Sequence, residues 1–148
     1  MRKMAAVLIV LLIAGMAQAL TTTFILSDDF AGVDLEVARW GPISAGGTFA
    51  VEYFEQSTNC FDDIEVDIGD HYVGPNLKCH FTPEGSRIDP FIGVSYLLRN
   101  AAIDNEYYVW EAGVDVYLTD NIGLGVAYAS CDNFYRDDMW MLRIPVRW

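Results

Sequence analysis

The sequence predicts an all-β fold, an eight-stranded antiparallel up-and-down transmembrane β-barrel. Three observations support this prediction: segments in which large apolar residues alternate with small or charged ones, an even number of such segments, and an ordered distribution of aromatic residues along them. Alternation with a period of two indicates strands with two unlike faces. A closed barrel pairs its backbone polar groups between strands, so it can cross a membrane without a helix.

The N-terminal half contains four predicted strands with weaker alternation. Leu20–Ser27 is rich in threonine, and Gly32–Trp40 alternates Val, Leu and Val with Asp, Glu and Ala. Thr48–Glu55 alternates Phe, Val and Tyr with Ala and Glu. Val73–Phe81 sets Val, Pro, Leu, Cys and Phe against Gly, Asn, Lys and His. Because Pro75 has no backbone N–H to donate, we expect a bulge or a local break near it.

The C-terminal half contains four strands with clear alternation. Pro90–Arg99, Tyr107–Thr119 and Asn121–Cys131 place large apolar residues on one face and mainly small or charged residues on the other. Met139–Trp148 has one wholly apolar face and two arginines on the opposite face. A narrow barrel has little room inside, so we expect the apolar faces to contact lipid and the other faces to line the interior. Representative residues of the lipid-facing set are Val94, Val114, Leu124 and Ile144.

The connections and the aromatic side chains agree with this arrangement. In membrane barrels short turns face the periplasm and long loops face the exterior. The two short connections are Thr82–Asp89 and Thr119–Asn121, and the longer polar ones are 55–70, 100–105 and 132–138. Aromatic residues gather at the two membrane interfaces of such barrels. The band toward the long loops comprises Tyr53, Tyr108, Trp110, Tyr128 and Trp140, and the band toward the short turns comprises Phe49, Phe81 and Trp148.

Residues 1–19 are predicted to be a secretory signal peptide, which leaves residues 20–148 as one barrel domain. Arg2 and Lys3 precede an apolar run, and Ala17-Gln18-Ala19 has the small-x-small pattern of a cleavage site. The apolar run is too short for a transmembrane helix, which needs about 20 residues. The chain has 21 acidic residues and a net charge of −12, so it offers no basic patch and a nucleic-acid partner is excluded.

Two segments carry a resemblance to a known family. Asp89–Tyr96 reads DPFIGVSY, and Glu111–Asn121 reads EAGVDVYLTDN before a strand that alternates glycine with apolar residues. The chain here resembles small bacterial outer-membrane barrels similar to the transmembrane domain of outer-membrane protein A. The resemblance implies a monomeric barrel surrounded by the lipid of a Gram-negative outer membrane. It also implies insertion by the barrel assembly machinery, which recognises a C-terminal strand ending in an aromatic such as Trp148. It implies no particular activity, because one fold carries many functions.

Charged residues on the predicted interior faces form the first candidate site. One interpretation is an ion path or a ligand cavity, and the other is a polar core held by salt bridges. We favour the polar core, because the interior of an eight-stranded barrel is just filled by side chains and buried charges must be paired. The predicted charge network of the lumen comprises Asp34, Glu36, Glu52, Lys78, Glu111, Asp115, Arg143 and Arg147.

Acidic residues cluster in the predicted external loops. Carboxylates bind hard cations such as calcium and magnesium, so divalent cations at these loops are one interpretation. No calcium-loop motif is present, and we therefore favour a solvated negative surface over a metal site. The loop acids are Asp62, Asp63, Glu65, Asp67, Asp70, Asp104, Glu106, Asp132, Asp137 and Asp138.

The three cysteines permit at most one internal disulfide. Cys60 and Cys131 are both predicted at the external end of the barrel, whereas Cys79 is predicted near the periplasmic end. In an oxidising periplasm the first two would pair if their Cα atoms come within about 7 Å. The alternative, that loop geometry keeps them apart, stays open.

Catalysis is not expected from the sequence. Lipid A deacylases, a group of barrel enzymes, place a His and a Ser close together near the last hairpin. Here Ser130 and Asn133 occupy the corresponding stretch without a His, and the histidines His71 and His80 lie on an earlier segment. The general base that would activate the serine is therefore missing, and no cofactor motif is present.

The sequence thus predicts an integral outer-membrane barrel with a structural or surface-recognition role and no enzymatic activity, cofactor or metal. A lipid-modifying barrel enzyme with a degenerate site is one alternative. A secreted soluble barrel that binds a small apolar ligand is the other. That last alternative needs an apolar interior and a charged exterior, the reverse of the alternation described above.

Overall fold

The structure is a computed structural model, and it describes residues 20–56, 65–100, 106–132 and 138–148. Eight strands form one closed antiparallel barrel in chain order, and the last strand pairs with the first. The predicted barrel is therefore confirmed, whereas the predicted signal peptide lies outside the described residues. Within those residues, no helix has the length and apolar character to cross a membrane. The strands are β1 Thr21–Leu26, β2 Phe30–Trp40, β3 Ile43–Gln56, β4 Glu65–His80, β5 Ile88–Arg99, β6 Glu106–Tyr117, β7 Gly123–Asp132 and β8 Asp138–Arg147.

The connections distinguish the two ends of the barrel. We call one of them the turn end, where β1 starts and β8 finishes; its connections are 41–42, 81–87 and 118–122. We call the opposite one the loop end; its connections are 27–29, 57–64, 100–105 and 133–137. The connection between β1 and β2 is the shortest at the loop end, and Ser27 closes it by exchanging hydrogen bonds with Phe30.

Strands β3 and β4 are longer than the sequence predicts. β3 begins at Ile43 rather than Thr48, because the Ala45-Gly46-Gly47 stretch has no large side chains that would reveal the alternation. Gly46 has a packing role: a Cβ atom there would lie 1.6 Å from the carbonyl oxygen of Leu35 on β2. β4 begins at Glu65 rather than Val73, so much of the predicted external loop over 55–70 is strand.

A bulge in β2 reverses the faces of its last residues. The register between β2 and β3 shifts between Glu36 and Ala38, where Val37 is the extra residue. Ala38 was predicted on the interior face, but it pairs with Ala45 on the outer face. Arg39 therefore points into the barrel, and the aromatic ring that follows it points outward.

Pro75 produces the local break that its missing N–H predicts. The ladder between β4 and β5 pairs Val73 with Leu98 and then resumes with Asn76 and Ser95, without a change of register. The intervening Gly74 allows a close approach, because a Cβ atom there would lie 1.8 Å from the carbonyl oxygen of Tyr96. Gly74 and Pro75 are the two residues that leave the ladder, and the pairing of β4 with β5 contains no bulge there.

The outer and inner faces differ sharply in chemistry. On the outer face Leu124 and Val126 are 46% and 49% exposed, and Val114 pairs directly with Val126. On the inner face Arg143 is 2% exposed and Glu111 is 7% exposed. The structure thus places large apolar side chains outside the barrel and charged side chains inside it.

Candidate functional site in the lumen

Interior side chains form three layers along the barrel axis, and we name each by its position. The turn-end layer contains Glu36, Arg39, Ser44, His80, Asp89 and Arg147. The central layer contains Asp34, Lys78, Phe91, Glu111, Asp115 and Arg143. The loop-end layer contains Ile25, Phe30, Tyr72, Leu97, Val109, Met139 and Met141.

Glycines on neighbouring strands make room for the central acids. A Cβ atom on Gly125 would lie 2.0 Å from a carboxylate oxygen of Asp115, its partner across the β6–β7 ladder. A Cβ atom on Gly93 would lie 2.8 Å from a carboxylate oxygen of Glu111. The glycines that alternate with apolar residues in the sequence therefore leave the space that these two carboxylates occupy.

Arg143 contacts all three carboxylates of the central layer. Its Nε lies 3.0 Å from Asp115 Oδ1, and its Nη1 lies 3.2 Å from Glu111 Oε2 and 3.6 Å from Asp34 Oδ2. Its guanidinium group lies over the ring of Phe91, with Cζ 4.3 Å from the ring centroid. Buried arginine suits this position because its fork of donors contacts several carboxylates at once.

Lys78 supplies the second cation of the central layer. Its Nζ donates to Asp34 Oδ2 at 2.6 Å and lies 3.2 Å from Glu111 Oε1. Thr48 donates to the other oxygen of Asp34 at 2.6 Å, and Asn76 donates to the Thr48 hydroxyl at 2.9 Å. Every charged group of this layer thus has an oppositely charged or hydrogen-bonding partner, as a buried network requires.

The turn-end layer is built around His80. Its Nδ1 lies 3.0 Å from Asp89 Oδ2, and its Nε2 lies 2.9 Å from the hydroxyl oxygen of Ser44 and 3.5 Å from Glu36 Oε2. Arg39 and Arg147 each approach the same Asp89 oxygen to 3.8 Å. This layer therefore combines two carboxylates with two arginines and an imidazole directly below the turn end.

The Ser44–His80–Asp89 arrangement has the atom order and spacing of a catalytic triad. Hydrolysis also needs a place for the substrate carbonyl about 3 Å from the serine oxygen. Ser44 is 2% exposed, and the adjoining cavity measures about 20 Å³. That volume accommodates one water molecule and no ester or amide. The arrangement can orient a hydroxyl and a water, and it offers no room for acyl transfer.

The structure brings together seven of the eight charged residues that were predicted to line the lumen. Arg147 is one of the seven and belongs to the turn-end layer. Glu52 is the exception, because it lies near the loop end, opposite Phe30. Arg39, Ser44 and Asp89 were not among the predicted site residues. The alternation placed Arg39 on the outer face, because the bulge cannot be seen in the sequence. The aromatic residue at position 40 was the available signal, since interface aromatics face outward and the residue before it must then face inward.

The predicted interface aromatics lie on the outer surface near the two ends. Trp140 is 70% exposed toward the loop end and Trp148 is 69% exposed at the turn end. Tyr53 is half-buried, because its hydroxyl donates to the carbonyl oxygen of Ser27 at 2.6 Å. The remaining predicted members, all exposed, are Phe81, Tyr108, Trp110 and Tyr128. Trp40, 65% exposed at the turn end, is a further member that the sequence pattern missed.

The acidic residues of the predicted loops are distributed differently from the prediction. Glu65, Asp67 and Asp70 belong to β4 and not to a loop, and Asp70 is paired with Arg99 and Asn100. In the part of the chain that the structure describes, no group of three or more His, Cys, Asp or Glu residues could hold a metal ion. The predicted loop acids at 62, 63, 104 and 137 lie outside the described residues.

The cysteine prediction is only partly covered by the described residues. Cys131 is buried on the inner face of β7 near the loop end, and Cys79 lies near the turn end of β4. Cys60 lies outside the described residues, so the proposed pairing with Cys131 stays a prediction.

The fold has a counterpart among solved structures. The chain is similar to the crystal structure of the N-terminal β-barrel domain of Pseudomonas aeruginosa OprF, with a TM-score of 0.60 and 11% sequence identity. The match covers 86% of this chain and 94% of that chain. No family model and no curated protein matches the sequence. At this identity the similarity concerns the fold, and the chain therefore shares the β-barrel fold of the OprF N-terminal domain.

Proposed function

We propose that this chain is an integral outer-membrane β-barrel protein with a structural or surface-recognition role. One observation carries the proposal: in a closed barrel, the ion pairs are inside and the large apolar side chains are outside. A soluble barrel would bury the apolar residues and expose the charges. A membrane barrel has the opposite arrangement, with an apolar outward band edged by aromatic residues.

The outward band is too extensive for a soluble surface. Ile92, Leu124 and Leu142 are each about half exposed, at 50%, 46% and 47%, and similar residues surround them on the neighbouring strands. Soluble monomers rarely expose contiguous apolar patches of more than a few hundred Å². Lipid is the partner that such a surface fits, and this supports a location in a membrane.

The lumen supports a role without catalysis. The charges of its central and turn-end layers are engaged with one another, so they do not line an open aqueous path. The triad-like group around Ser44 has no space for a substrate beside it. An interior filled by side chains and linked by ion pairs between strands suits a rigid scaffold. Contacts with other molecules would then be made by the outer surface and the loop end.

The loop end provides a surface suited to recognition. Residues 53–56 of β3 pair with residues 65–68 of β4, beyond the point where Phe30 begins β2 and Arg99 ends β5. The two strands therefore continue past their neighbours β2 and β5 as a ribbon. A ribbon that projects at the loop end presents a surface to other molecules, and this supports the recognition role.

Membrane location is tested by fractionation combined with gel mobility before and after boiling. We expect the protein in the outer-membrane fraction, as a monomer that migrates differently when unheated, because folded membrane barrels resist detergent. Recovery as a soluble periplasmic protein without heat-dependent mobility would contradict the proposal. Mass spectrometry of lipid A from cells that express the protein tests the enzyme alternative, since a change of acylation would favour it.

The assembly machinery is a further proposed partner, and it is tested at the C-terminal strand. Trp148→Ala is expected to reduce the amount of folded barrel in cells, because the resemblance assigns recognition to a terminal aromatic. Trp140→Ala is the matched control, since Trp140 is equally exposed at the other end of the same strand. Equal loss in both variants would show that recognition does not depend on the terminal ring.

A further inference from the structure

The loop-end half of the lumen contains a partly open cavity of about 80 Å³ that the charge network does not fill. Its walls are the side chains of Ile25, Leu97, Val109, Met139 and Met141. Ile25 and Leu97 are each 8% exposed and Met141 is 9% exposed, whereas Val109 and Met139 are partly buried. This lining is almost wholly apolar, in contrast to the central layer directly beneath it.

Aromatic rings bound the cavity on its outer side. Phe30 and Tyr72 meet edge to face, with ring centroids 5.7 Å apart, and Tyr72 meets Tyr107 in the same way at 5.9 Å. The three rings reach across the lumen from β2, β4 and β6. Tyr72, the most buried of the three, is 3% exposed, and Phe30 and Tyr107 are partly buried beside it.

The polar groups at the floor of the cavity are engaged with the central layer, except that Glu111 Oε1 lies 3.2 Å from Lys78 Nζ and accepts no hydrogen bond. Thr48 donates to Asp34, whose second oxygen accepts from Lys78. Glu111 contacts Arg143 and Lys78 from the same layer. A buried water needs two to four polar partners, and the single unpaired oxygen of Glu111 is fewer than that. The physical environment therefore disfavours water and ions in this space.

We propose that this cavity binds a small, uncharged, apolar molecule no larger than a single aromatic ring. Apolar cavities of about 150 Å³ in protein interiors bind benzene or xenon, so a cavity of about half that volume accepts xenon directly. A ring enters when the flexible side chains of Met139 and Met141 adjust, since methionine fits irregular spaces at low cost. The site disfavours charged molecules, because most of its lining is apolar and would leave a charge largely unpaired.

The test uses xenon and benzene as probes on the folded, detergent-solubilised protein. Xenon NMR is expected to show a protein-bound signal distinct from xenon in the micelle. Benzene is expected to raise the thermal unfolding midpoint. Val109→Phe fills the cavity and should abolish both effects, whereas Val114→Phe adds the same ring on the outer face and should retain them.

Three outcomes decide the proposal. Loss of both effects in Val109→Phe with retention in Val114→Phe supports it. Equal effects in all three proteins would place the probes in the micelle or on the outer face and overturn it. Absence of a bound xenon signal in the unmodified protein would also overturn it, and this measurement does not depend on the folding of any variant.

Discussion

Arg143 offers the most direct test of how the lumen is held together. In the central layer its guanidinium lies within 3.6 Å of three carboxylates and stacks on Phe91, and the side chain is 2% exposed. Arg143→Met keeps a long side chain in place and removes the charge. Asp115 and Glu111 then lose their guanidinium partner inside a region without bulk water.

The expected loss of unfolding free energy follows from a difference between removing one partner of a buried ion pair and removing both. Removing one partner and leaving the other charge buried costs about 3–5 kcal/mol, whereas replacing the whole network by neutral groups is often close to neutral. We therefore expect Arg143→Met to lower the free energy of unfolding by about 3–5 kcal/mol. Adding Glu111→Gln and Asp115→Asn to the same chain should recover most of that loss, because no uncompensated charge remains.

Urea-induced unfolding in lipid vesicles, followed by tryptophan fluorescence and by gel mobility, measures these differences. The matched control is Arg99→Met, because Arg99 pairs with Asp70 at the loop end with a side chain that is 40% exposed. Solvent screens such a pair, so we expect a much smaller change there. A loss in Arg143→Met no greater than in Arg99→Met, or no recovery in the triple variant, would refute the reasoning.

Four further predictions test the outer face, the lumen, the triad-like group and the cysteines. Val114→Arg should lower the free energy of unfolding by about 2–4 kcal/mol if position 114 lies near the midplane of the bilayer, and a neutral effect in vesicle unfolding would contradict the lipid-facing assignment. In planar bilayers the purified protein should show no stable conductance of porin size; a reproducible one would mean that the charge layers do not close the lumen. A fluorophosphonate probe should leave Ser44 unlabelled, since the adjacent cavity of about 20 Å³ cannot admit it, and labelling detected by mass spectrometry would reverse that conclusion. Mass spectrometry of the non-reduced protein decides between a Cys60–Cys131 bridge, which would stabilise by roughly 4 kcal/mol on the chain-entropy model, and the alternative that loop geometry keeps the two thiols free.

The architecture was predictable from the sequence because it depends on local alternation. A period of two survives wherever one face meets lipid and the other meets a crowded interior, as from Pro90 onward. The two faces of residues 73–80 could be assigned for the same reason, although β4 begins earlier, and the missing donor of Pro75 predicted the break in the ladder. Most of the charge network could be predicted, because alternation decides which charges face inward wherever a strand has no bulge.

The tertiary structure decided which of those charges meet, and where the alternation fails. The extra residue at Val37 turns Arg39 inward, and the small residues after Ile43 conceal the part of β3 that carries Ser44. Contacts such as Ser44 with His80 join residues far apart in the chain, so they depend on the register and stagger of the closed barrel. The apolar cavity at the loop end has the same origin, because its lining comes from seven strands whose relative heights no local pattern encodes.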